Sequence, residues 1–223
     1  ASSDTLVAQD DEDFIYFNTY SELFNSKNFL LLAVENRDKI DLNFIKNFKE
    51  ISAKILELEQ VSSIFSFIDA PILLSNNTSL NNLSSDSIET LNNNPKLEIR
   101  KVIDEFIKNP VYLNQIINED GSVFSLVIYL KDNSKLTKAK QKYDNGIISK
   151  KEYLQFKNQN DQKRNKLISE IRQITFKANK EYTYYLGGIE MIASDVVSFV
   201  KKDIIIFSLA IILIILLVLF FIF

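Results

Sequence analysis

The sequence predicts an α+β domain followed by one membrane-spanning helix. Three observations predict it: short apolar runs bounded by turn residues, amphipathic helical periods between those runs, and a closing stretch from Ile204 to Phe223 with no charge, proline or glycine. As a helix, that closing stretch rises about 30 Å, the thickness of a bilayer's hydrocarbon core. A buried helix of a soluble protein would normally keep a polar face, and this stretch is apolar all round. A secretory signal would stand at the N-terminus with a shorter core.

Taken in order, Asp10 to Asp13 precede Phe14, Phe17, Tyr20 and Phe24, an apolar series at helical spacing. Acidic residues in a first turn suit the positive end of the helix dipole, and Asn25 tolerates the left-handed conformation that ends a helix. Asn28 to Glu35 is a short apolar run and reads as a buried strand. Asp41 can cap a helix whose apolar positions are Phe44, Phe48, Ile51, Ile55 and Leu58. A second strand runs from Val61 to about Asp69, and Pro71 ends it. Strand, helix and strand make a βαβ unit, split or unsplit according to what lies between its strands.

Residues 75–95, rich in Asn, Ser and Leu, read as an irregular surface excursion. Asn94-Pro95 then opens a helix with Ile99, Val102, Ile103 and Phe106 on one face, and Asn109-Pro110 closes it. Asp120-Gly121 marks a hairpin-type turn between an apolar run, VYLNQII, and the stronger strand Val123 to Leu130. The highly charged segment 131–166 reads as a helical hairpin inserted in a loop. Its turn has Gly146 as a C′ residue and Ser149 with Glu152 as a capping box. Its second helix continues through Ile168, Ile171, Ile174 and Ala178. Tyr182 to Leu186 is the last strand, ended by Gly187-Gly188, and an apolar face from Ile189 leads into the span without a breaker.

Composition narrows the chemistry. The chain has 223 residues, a net charge of −3, and neither His nor Cys. The missing histidine removes the usual general base and the commonest metal ligand. There is no phosphate-binding loop, no dinucleotide fingerprint and no nucleophile elbow. No catalytic residue, metal site or cofactor is therefore expected, an enzyme is not expected, and the near-balanced charge argues against nucleic acid as a partner. The span has no ionisable residue with which to relay protons.

The order of these pieces resembles the first extracytoplasmic porter domain of resistance-nodulation-division exporters, in the branch of hydrophobe and lipid exporters that includes the mycobacterial large membrane proteins. The carrying features are the acidic first helix ending in Phe24-Asn25, the strand FLLLAVE with its helix, and Asn109-Pro110. They continue with Asp120-Gly121, Leu186-Gly187-Gly188, and a helix entering a span rich in Ile, Leu and Phe. Family members often have Gly where Asn25 stands, and the charged hairpin departs from the pattern as an insertion.

The resemblance implies ferredoxin-like βαβ porter subdomains in residues 1–188, a connecting helix at 189–203 and a transmembrane helix at 204–223. It implies an inner-membrane, multi-pass parent with residues 1–203 extracytoplasmic, so that the chain is a piece of something longer. It also implies export by alternating access, driven by proton flow elsewhere in that parent, of hydrophobic or amphipathic substrates. The partners would be the bilayer, the remaining transmembrane helices and a second porter domain. Lys201-Lys202 before the span weakly favour a cytoplasmic domain by the positive-inside rule; the resemblance outweighs two lysines. No substrate-binding residue is assigned, and Gly187 and Gly188 are the hinge candidates. The other reading is a membrane-anchored extracytoplasmic sensor or interaction domain.

Overall fold

The structure, a computed structural model, describes residues 12–23, 28–36, 38, 40–72, 89–94 and 97–222. It contains a four-stranded sheet built from β1 (Phe29–Glu35), β2 (Val61–Ser66), β3 (Val123–Leu130) and β4 (Thr183–Gly187). The strand order is β2-β3-β1-β4, and every neighbouring pair is antiparallel. Since β1 and β2 both run against β3, they run parallel to each other with β3 between them. The βαβ unit is therefore split, and β3 and β4 form a second split unit around β1.

The helices are α1 (Glu12–Leu23), α2 (Leu42–Leu56), α3 (Ile99–Lys108), α4 (Ser134–Asp144), α5 (Lys150–Lys177) and α6 (Ile189–Ile222). Residues Lys27–Gly188 form one compact unit, and α1 and α6 fall in another.

Alternation in β1 and β3 decides which face of the sheet is covered. Leu30, Leu32 and Val34 of β1 and Phe124, Leu126, Ile128 and Leu130 of β3 are buried. That period of two is what an antiparallel sheet with one packed face requires. Helix α2 covers this face: Asp41 accepts a hydrogen bond from the Phe44 amide at 2.8 Å and starts the helix. Phe44, Ile45, Phe48, Ile51 and Ile55 then turn inward. Phe44 sits at the centre of an aromatic cluster, 5.1 Å from Phe124, 6.0 Å from Phe67, 5.8 Å from Phe48 and 5.0 Å from Tyr182. Helix α5 packs on α2 and buries Leu167, Ile168 and Ile171.

Three expectations are corrected. Strand β2 ends at Ser66 rather than near Asp69, because the chain turns at residues 67–69, where the Asp69 amide donates to the Ser66 carbonyl at 2.9 Å. Helix α3 opens at Ile99, not at Asn94-Pro95; Glu98 stands at its N-cap, and Pro95 lies outside the described residues. The run VYLNQII is no strand but a chain of turns. Tyr112 and Leu113 donate to the Asn109 carbonyl at 2.9 Å, Ile116 donates to Tyr112 at 3.0 Å, and Asn114 takes φ 59°. Its buried residues Tyr112, Ile116 and Ile117 recur with a helical rather than a strand period. Only Ile117 bridges to the sheet, opposite Phe124. The stop at Asn109 stands, its extended ψ of 116° being what a following proline imposes.

Asp10, Asp11, Phe24 and Asn25 lie outside the described residues, as do residues 75–88 of the expected excursion. The described end of that excursion is tied to the segment before it: Ile72 donates to Glu89, Asn92 donates to Ile68, and Asp69 accepts from both Ser66 and the Asn92 side chain.

The glycines after β4 differ sharply from each other. Gly187 pairs with Leu31, and a Cβ there would meet nothing nearer than the Leu31 carbonyl at 3.8 Å. Gly188 has φ +127°, and its Cβ would stand 3.2 Å from both the Phe29 carbonyl oxygen and Leu30 Cδ2. Positive φ and close backbone approach both select glycine. Gly188→Ala is expected to cost about 1–3 kcal/mol in a denaturant titration, whereas Gly187→Ala should cost well under that. Equal costs at the two positions would mean that the close approach of Gly188 to β1 does not hold.

Candidate functional site

Among the described residues, no group of three or more acidic, His or Cys side chains could hold a metal ion. The expected turn at Asp120-Gly121 is present. Gly121 has φ +70° and donates to Asn118 at 3.2 Å, while Asp120 accepts from the Ser122 hydroxyl at 2.5 Å and from its amide at 2.9 Å. Those two Ser122 bonds hold the Asp120 carboxyl below its usual range. Its oxygens serve the turn, which is a structural role. Tyr112 is buried beside Glu105, and burial first, then that charge, pushes its phenol up; its hydroxyl donates to the Pro71 carbonyl at 2.8 Å.

The groove with chemistry to offer lies in the charged hairpin. Helix α4 ends in a Schellman turn: Gly146 takes φ +69° and donates to Tyr143 at 2.9 Å, and Ile147 donates to Lys142 at 2.8 Å. Ser149 and Glu152 then form the expected capping box, with the Ser149 amide and hydroxyl each donating to Glu152 Oε2 at 2.8 Å. These bonds lower the Glu152 pKa. Tyr143 stacks on Tyr153 with ring centres 5.1 Å apart, and Asn133 donates to Asn160 at 2.7 Å, so the two helices are joined near the turn and at the base.

Between them lies an open groove of about 490 Å³, lined by Lys135, Lys138 and Lys142 of α4, with Ala139, Ile148, Glu152, Gln155 and Phe156. The three lysines are spaced three and four apart and so share one face of α4. None of their ammonium groups has an ion-pair or hydrogen-bond partner among the described residues. Ile147 at the tip is 67% exposed and Phe156 42%. Residues 131–166 hold eleven Lys and Arg against four Asp and Glu, a net charge of +7 in a chain of −3. Reading the segment as merely charged missed this sign, although counting lysines would have found it. Lys157 and Arg164 are exceptions, both buried on the inner face that continues to Leu167, Ile168 and Ile171.

Replacing residues 131–166 by a short Gly/Ser loop is expected to leave one cooperative unfolding transition. Helix α4 packs chiefly on α5, and the buried apolar residues of α5 begin at Leu167. The loss includes the hydrogen bond from Gln60 Nε2 to the Lys163 carbonyl, a term of about 1 kcal/mol. Non-cooperative unfolding of that variant would make the hairpin part of the core.

Helix α6 is unbroken over 34 residues, and Ser194–Ile222 is long and apolar enough to cross a membrane, with none of its most apolar window buried. Fold and helix together define a class: an α+β domain on a chain that carries a candidate membrane anchor. No family of known proteins, no curated relative and no solved structure matches the chain.

Proposed function

We propose that the chain is a porter domain, with the span that follows it, of a proton-driven exporter of the resistance-nodulation-division superfamily, in its hydrophobe and lipid exporter branch. The observation that carries the reading is the strand order β2-β3-β1-β4 with two interleaved split βαβ units, the ferredoxin-like arrangement expected of a porter subdomain. Its last strand ends at Gly187, and only Gly188 separates it in sequence from the apolar α6. In this reading the domain lies outside the cytoplasm and gives hydrophobic or amphipathic substrates a path. Proton flow through other helices of an inner-membrane parent drives alternating access.

The parent reading frame tests this directly. An exporter requires one span immediately before Ala1 and several after Phe223. A frame with neither would remove the exporter and leave a membrane-anchored interaction domain, the reading that the basic hairpin favours.

A further inference from the structure

We propose that the α4–α5 hairpin is a contact arm for an anionic lipid surface, with lysine ammonium groups meeting headgroup phosphates and Ile147 entering the interface. The charge distribution selects this occupant. Residues 131–166 carry +7 of a chain whose total is −3, which leaves −10 on all other residues. An anionic bilayer therefore attracts the hairpin and repels the rest of the chain, and the contact is oriented as well as favoured.

The arm also combines the two signals that surface binding needs, clustered cations and an exposed apolar anchor. Lys142, Lys150 and Lys151 flank Ile147, and all four residues are exposed. Lys135, Lys138 and Lys142 line the groove beside the half-exposed Phe156 without partners among the described residues. A small soluble anion would use the ammonium groups and leave Ile147 and Phe156 in water. A lipid surface uses both. Helix α6 supplies the tether, because a chain held in a bilayer meets its headgroups at high effective concentration and needs no strong contact. The proposal needs this span but not the exporter reading.

The chain has no cysteine, so Asn145→Cys places one unique thiol at the exposed tip for an environment-sensitive fluorophore. The labelled full chain is placed in lipid nanodiscs of phosphatidylcholine alone or of phosphatidylcholine with phosphatidylglycerol. The expected result is a blue shift, with quenching by nitroxide lipids, in the anionic discs only. Raising salt from 0.1 M to 1 M, which shortens the screening length from about 10 Å to about 3 Å, should reverse it. So should K135E/K138E/K142E, while the thermal transition of the domain stays in place; Ile147→Ser should remove the quenching but keep the salt dependence of lipid contact. Emission equal in both kinds of disc would overturn the proposal and leave the cations to an acidic protein. A chain recovered outside the discs would remove the tether and overturn it as well.

Discussion

Replacing Phe44 with Ala is expected to lower the stability of the α+β unit by about 3–5 kcal/mol, against a total of about 5–15 kcal/mol for such domains. The side chain has no solvent exposure, and its ring touches Phe48, Phe67, Phe124 and Tyr182. Those partners come from α2 itself, the turn just after β2, β3 and the residue just before β4. Deleting the ring therefore opens a cavity where the covering helix meets three parts of the sheet layer. Phe29→Ala is the control, since Phe29 is 49% exposed on the other face; it should cost less than about 1 kcal/mol. Guanidinium titrations of the full chain in detergent, followed by near-ultraviolet dichroism, make the comparison. Similar midpoints for the two variants would mean that the aromatic cluster is not the centre of the core.

The second large effect concerns α6. Its 34 residues rise about 51 Å, some 20 Å more than a bilayer core needs. Inserting Pro-Gly-Gly after Ser198 breaks it, because proline removes a helical hydrogen bond and clashes with the preceding turn. In the exporter we propose, alternating access requires domain motion to reach the span through this helix. Transport by the full-length variant should then fall to background, while membrane insertion and the unfolding midpoint of the domain are unchanged. Gly187 and Gly188 are the proposed hinge in that mechanism. The close approach of Gly188 to Phe29 and Leu30 means that any such motion has to separate it from β1. Normal transport by the insertion variant would make α6 a tether, and the anchored-domain reading would gain.

Much of this fold is written in local signals. The stop at Asn109-Pro110, the cap at Asp41, the Gly146 turn and the Ser149–Glu152 box all depend on residues within a few positions of each other. So does the apolar stretch that ends the chain, whose length alone matches a bilayer. Such features follow from backbone chemistry and need no partner element.

Other features exist only once distant segments meet. A strand, a helix and a strand are compatible with adjacent or separated strands. The choice fell to β3, which could insert between β1 and β2 because its Phe124, Leu126, Ile128 and Leu130 complete the face that α2 covers. VYLNQII has strand-like composition, but Asn109 and Asn114 supply turn geometry and its buried residues repeat as a helix would. The hairpin's positive charge was countable in the sequence from the start. What tertiary structure decided is that Lys135, Lys138 and Lys142 share one groove with Phe156, since two helices must first be folded against each other before charge and apolar surface stand side by side.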